Sequence, residues 1–325
     1  MAAEQLDTTT PVRRDDSRPL PPVRRTLGRR VRRHWQLYLM ILPPLVYVLL
    51  FLYLPLYGLQ IAFRNYSPAL GMLESPWVGM KYLNQFVNSY QFWPVLRNTL
   101  LLNFYELAAL FPLPIILALL LNSVRSSRYR KAVQLITYAP YFISTVVVVG
   151  IIVMLFSPTG GIVNQVITMF RPEPIDFMNE AWFRHTFVWS GAWQTLGYSA
   201  IIYLAALAGI DPELHEAARV DGANILQRIW HIDLPGILPV TITLLILNIG
   251  SVLSVGFEKV LLMQNDLNGA VSEVIDTYSY KVAFVASLPQ YSYATAIGLF
   301  KAVISLVLLL LANFLAARIA KLSLF

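Results

Sequence analysis

The 325 residues are 57% hydrophobic and 13% charged, about half the charged share of an ordinary soluble domain. This excludes a single water-soluble globule and points to a chain whose surface is largely solvated by lipid. The absence of cysteine excludes disulfides, thiolate metal sites and cysteine nucleophiles, and the net charge of +7 is unevenly placed.

Nine of the 25 Lys and Arg residues fall in the first 33 positions, among Pro19, Pro21 and Pro22. Residues 1–34 are expected to form a basic, disordered cytoplasmic tail that fixes topology, with no nucleic-acid partner. Residues 35–325 are expected to form one transmembrane domain. A spanning helix needs about 20 mostly apolar residues, and six segments qualify: 37–63, 94–121, 132–156, 183–208, 237–263 and 291–317. With the N-terminus inside, the tail, 122–131, 209–236 and the C-terminus hold 17 of the 25 basic residues. The positive-inside rule therefore places both termini in the cytoplasm. The outer loops are 64–93, 157–182 and 264–290, where Trp77, Tyr82, Tyr90, Trp93 and Trp182 fit interfacial anchors next to membrane lipid. Pro43, Pro44, Pro55, Pro112, Pro114 and Pro140 are expected to kink their helices, as hinges or as static packing.

The polar segment 209–236 lies between the fourth and fifth spans. Asp211 can cap a helix that has Pro212 at its first position and Glu213 near its positive end. That helix should run from about Pro212 to Val220 and turn at Gly222. A second should run from about Ala223 to Asp233, ahead of Pro235. The expectation is an all-α, polytopic protein of six transmembrane helices with a cytoplasmic helix–turn–helix across the membrane surface.

Glu216, Ala217, Ala218, Gly222, Ile232, Leu234 and Pro235 fall at the spacing of the EAA loop, and the chain over 37–325 resembles binding-protein-dependent ABC importer permeases. The Asp221-Gly222-Ala223 form is similar to the carbohydrate-uptake branch. The stretches LPPLVYVLLFLYLPLY (42–57), GFEKVLLMQN (256–265) and SYATAIGLF (292–300) resemble permeases for oligosaccharides and polysaccharide fragments, alginate- or pectin-type cargoes among them. The resemblance implies alternating access in a bacterial inner membrane and a heterodimer with a second homologous permease. It also implies two cytoplasmic ATPase subunits, an extracytoplasmic solute-binding protein and a saccharide substrate. It makes Glu216 a polar contact to the ATPase, Ala217 and Ala218 close-packing residues, and Gly222 the turn, with Asp221, Ala223, Leu234 and Pro235 completing the motif. The chain itself has no GxxxxGK[ST] phosphate loop, so ATP and Mg are expected on the ATPase and no cofactor here.

No catalytic or metal site is expected. His34, His185, His215 and His231 are scattered, and Arg219 stands where a zinc-binding HExxH begun at His215 needs its second histidine. Sugar recognition combines aromatic faces with hydrogen-bonding groups, which Trp189, Trp193, Gln194, Tyr198 and Asn248 could supply; ordinary helix packing uses the same residues. Lys301 and Glu258 either line the pathway or pair with each other across neighbouring spans. Other functions to weigh are a same-family permease for a glycerophosphodiester, an ion-coupled secondary transporter, which needs intramembrane carboxylates and an inverted repeat, and an integral-membrane enzyme.

Overall fold

The computed structural model describes residues 35–320; the basic tail expected at 1–34 lies outside the described residues. The chain divides into two compact units, one ending at Gly58 and one beginning at Leu59. Among the described residues there is no β-strand, only two isolated bridges, Arg64 with Trp77 and Ser67 with Gly71.

In the first unit, α1 (Trp35–Val48) carries Pro43 and Pro44 and widens into a π turn at Leu49–Tyr53. Pro55 follows two residues later. A proline ring collides with the carbonyl four residues before it in a regular helix. The wider turn, closed by the Leu54 N–H on the Leu49 carbonyl, makes room for it.

The second unit holds the remaining elements. After α2 (Lys81–Val87), α3 (Phe92–Leu110) runs through Phe111 into α4 (Pro112–Ser123), a 32-residue apolar stretch. α5 (Ser127–Tyr138) tightens at Ala139–Phe142, and α6 (Thr145–Phe156) then leaves at 101°. The third expected span is therefore a broken pair, not one helix across 132–156. Pro140 removes a donor, Ile143 is extended, and the Ser144 hydroxyl caps the new helix by accepting from the Val147 N–H.

The short α7 (Ile162–Thr168) precedes α8 (Phe183–Ala208), whose bounds match the expected fourth span. α9 (Pro212–Val220) turns off by 73°. Beyond it, α10 (Ile225–Arg228) passes through a π turn (Ile229–Asp233) into α11 (Leu234–Gly250), and Ile225–Gly250 forms one apolar run.

The fifth span thus ends at Gly250, not at residue 263. Ser251 to Gly256 form turns, with Ser254 N–H on the Ser251 carbonyl at 2.7 Å, and α12 (Phe257–Met263) is separate. Then come α13 (Ile275–Tyr280), a π turn at Lys281–Val285, and the 30-residue α14 (Tyr291–Ala320). Among the described residues, four helices are long and apolar enough to cross a membrane, or up to six if each bent pair counts as one span.

α8 is the organising helix. Its Phe183 and Phe187 pack with Leu102 of α3 and with Val260 and Met263 of α12; its Ala200, Tyr203 and Leu207 pack with Ala118 of α4 and Ile237 of α11. A third cluster joins Phe86, Phe92, Ile275, Tyr293 and Ile297.

Buried asparagines fix the loops, because a loop that leaves water must find partners for its backbone. Asn164 donates to the carbonyls of Phe156, Ser157 and Ile175 and accepts from the Ile175 N–H. Asn98 donates to the carbonyls of Ala270 and Glu273, and the Thr99 hydroxyl accepts from the Ile275 N–H at 3.0 Å. These bonds hold α13 against α3.

Candidate functional site

The loop after α8 is built as a closed hydrogen-bonded unit. Asp211 Oδ1 accepts from the Glu213 N–H at 3.0 Å, with Pro212 at the first helical position. At the far end Gly222 has φ +80°. The Gly222 N–H donates to the Arg219 carbonyl and the Ala223 N–H to the Ala218 carbonyl at 2.8 Å. This is a Schellman ending, in which only glycine takes the left-handed position without cost.

Asn224 then opens the next helix with a reciprocal cap. Its side chain accepts from the Gln227 N–H at 2.9 Å, while Gln227 Oε1 accepts from the Asn224 N–H at 2.8 Å. The second helix thus starts at Ile225 rather than near Ala223. It also does not stop before Pro235. The π turn Ile229–Asp233, closed by Leu234 N–H on the Ile229 carbonyl, accommodates the proline as at Pro55, and the helix continues to Gly250.

Within this element Glu216, Ala217, Asp221 and Pro235 are exposed, while Ala218, Ala223 and Leu234 are half-buried. His215 Nε2 lies 3.3 Å from Asp233 Oδ1 and ties α9 to the π turn.

A cavity of about 520 Å³ opens between α3, α8 and α11, lined by Asn103, Glu106, Tyr141, Thr195, Tyr198 and Asn248 among others. Of the five residues expected to bind sugar, Tyr198 and Asn248 are there. Tyr198 stacks on Tyr141 with centroids 3.7 Å apart and planes 3° from parallel.

The other three lie outside the lining. Trp189 Nε1 donates to the Tyr105 hydroxyl at 2.9 Å, and Trp193 is 48% exposed. Gln194 Nε2 donates to the Ile143 carbonyl at 3.1 Å, satisfying the backbone where α5 and α6 part.

Of the two readings of Lys301 and Glu258, the pairing with each other is not formed. Lys301 Nζ lies 2.6 and 2.7 Å from the two Asp276 oxygens, and Glu258 is exposed. α13, with Asp276 in its first turn, packs on α14, where the Ser279 hydroxyl donates to the Ala294 carbonyl at 3.1 Å. Lys301→Glu should therefore place two carboxylates together and cost about 2 kcal/mol or more. The exchange Lys301→Asp with Asp276→Lys should recover most of the lost stability. Thermal unfolding of the purified complex checks this, and a Lys301→Glu midpoint equal to wild type would contradict it.

Glu106 lines the cavity without having been expected there, and Lys259 lies outside the lining. Lys259 is buried, donates to the Phe187 carbonyl at 2.8 Å and sits 4.7 Å from the Phe187 ring centroid. Glu106 reaches the same face of α8, at Gly191. Gly191 leaves the space between them, since a Cβ there would lie 3.2 Å from Lys259 Nζ and 4.0 Å from Glu106 Oε1. The available signal was that Glu106 is the sole acidic residue in the apolar stretch Phe92–Ser123.

The profile of the binding-protein-dependent transport system inner membrane component family matches residues 111–321. The polygalacturonan/rhamnogalacturonan transport system permease protein YteP of Bacillus subtilis (strain 168) is 47% identical over 283 residues, covering 87% of this chain and 88% of that protein. A chain of a bacterial ABC transporter that imports the acidic polysaccharide alginate superposes with TM-score 0.82 at 40% identity, covering 90% of this chain and 99% of that one. A bacterial alginate ABC transporter in complex with an alginate pentasaccharide-bound periplasmic protein gives TM-score 0.83 at 39% identity, covering 92% and 99%. By length, helical architecture and these matches, the chain belongs to the family of binding-protein-dependent transport system inner membrane components.

Proposed function

We propose that this chain is a permease subunit of an ATP-driven importer of acidic oligosaccharides, of the polygalacturonan, rhamnogalacturonan or alginate kind. The observation that carries the reading is the 47% identity to the YteP permease along 88% of its length. The cavity chemistry agrees with it. Asn103, Thr195, Tyr198 and Asn248 offer amide and hydroxyl groups for sugar hydroxyls, and the stacked Tyr141–Tyr198 pair offers an aromatic face.

The remaining parts of this reading rest on the resemblance of the loop and on the placement of basic residues. Two ATPase subunits bind ATP and Mg on the cytoplasmic side, and one of them docks at α9. Glu216 makes the polar contact and the small Ala217 and Ala218 allow close approach. Asp221, Gly222 and Ala223 form the turn, and Leu234 and Pro235 lead into the fifth span. A force on α9 reaches α8 through the 73° bend. It reaches α11 through the Gly222 turn and the His215–Asp233 contact. Both termini lie inside, a second permease completes the pathway, and a solute-binding protein delivers cargo from outside.

Competition for uptake tests the cargo class. In cells carrying the complete system, galacturonate and alginate oligosaccharides should displace a labelled acidic oligosaccharide, and neutral malto-oligosaccharides should not. Equal displacement by the neutral series would overturn the assignment.

A further inference from the structure

We infer that a second pocket, beside α9 and separate from the sugar cavity, is a binding site for a phosphate-bearing anion. The pocket has a volume of about 670 Å³ and lies where α4 and α8 end, bounded by α9 and α10. Arg125, Arg219 and Arg228 line it together with His215, Glu216 and Asp233. Among the described residues, none of the three arginines has an acidic oxygen within 4.0 Å, although two carboxylates share the pocket. Asp233 is instead held by His215 at 3.3 Å, with a longer-range attraction to Arg228. Arg228 Nε is buried with no hydrogen-bond partner.

Arg125 and Arg219 are exposed and Arg228 is half-buried, so the cost falls on Arg228, whose Nε is withdrawn from water and needs an acceptor. The planar forks of guanidinium groups match phosphate oxygens two at a time. The volume exceeds that of inorganic phosphate and suits a phosphate ester carrying a glycerol or sugar-sized group. The pocket also sits at the ends of two spanning helices, the depth at which basic pockets between helices take anionic lipid headgroups. The shared chemistry is a phosphate mono- or diester, from a lipid or from a soluble compound. Because the pocket joins α9 to the start of the fifth span, an anion there would tie the arginines of three segments together.

The test is thermal unfolding of the assembled transporter complex in zwitterionic detergent, at fixed ionic strength. It is titrated separately with phosphatidylglycerol, phosphatidylcholine, inorganic phosphate and glycerol phosphate. A saturable rise in Tm with phosphatidylglycerol alone supports the site with a lipid source. A rise with the soluble phosphates supports it with a soluble source. In either case Arg125→Gln with Arg228→Gln should weaken the half-saturation at least tenfold, and Arg125→Lys with Arg228→Lys, which keeps the charge but loses the fork, should weaken it less. Should the double glutamine variant fail to assemble, the exposed Arg125→Gln alone must still shift the midpoint of the titration about threefold. No response to any anion, an equal response to phosphatidylcholine, or glutamine variants that titrate like wild type would overturn the proposal. The first of those outcomes would assign the arginines to an acidic surface of a partner subunit.

Discussion

Gly197→Ala should remove most of the assembled protein from the membrane, although it adds a single methyl group. Gly197 is buried in α8, and a Cβ there would fall inside the envelope of the Thr137 carbonyl and 2.9 Å from Thr137 Cβ. The obstacle is backbone, so no rotamer change relieves it. Close approach of small residues is how helices associate in lipid, where apolar burial alone gives no preference for protein over solvent. Overpacking of this kind costs about 1–3 kcal/mol and more when the backbone must move, a large share of a marginal total stability. Moving α5 away would also stretch the Gln194 bond to the Ile143 carbonyl and the Tyr141–Tyr198 stack. The folded, membrane-inserted yield should fall roughly tenfold. Gly298→Ala, where a Cβ meets nothing within 4 Å, should behave as wild type. Equal yields and equal thermal midpoints for the two variants would contradict the packing account.

Gly222→Val should leave the complex assembled and disconnect saccharide from ATP hydrolysis. A Cβ at Gly222 has open space around it, so the penalty is conformational. At φ +80° a β-branched residue pays at least the roughly 1–2 kcal/mol that any side chain pays in the left-handed region. The turn would relax by giving up the bonds from Gly222 to Arg219 and from Ala223 to Ala218, and α9 would lose its set angle. On the coupling reading, saccharide-stimulated ATPase should drop more than tenfold while basal hydrolysis persists. Asparagine tolerates the left-handed region, so Gly222→Asn should keep most of the stimulation. A valine variant with wild-type stimulation would mean that this turn does not position the coupling surface.

Hydropathy located the six apolar segments because a bilayer demands length and apolar composition, which any one sequence displays. α9 was equally legible. Asp211-Pro212 and Gly222 are local signals whose physics does not depend on the rest of the fold, and its bounds match those expected. The break at Pro140 was not legible, because TVVVVGIIVMLF (145–156) is equally apolar whether it continues a helix or turns by 101°. The end of the fifth span was overshot for a related reason. The turn-forming stretch GSVLSVG (250–256) is apolar enough to pass as membrane helix.

The direction a side chain faces was least legible. Tyr198 reaches the cavity, whereas Trp193 and Gln194 on the same helix do not. Lys301 finds Asp276 because α13 packs on α14, a contact between separate segments of the chain. That Lys259 comes near Glu106 at Gly191 was hidden for the same reason.

The most direct test is uptake of a labelled acidic oligosaccharide into proteoliposomes that contain the complete complex, with its binding protein supplied on the outer face and ATP inside. Accumulation that requires both ATP and the loaded binding protein, and that is unaffected by collapsing ion gradients, is the predicted result. Accumulation without ATP that vanishes when an ion gradient is dissipated, or ATP-dependent movement of neutral sugars alone, would contradict the account.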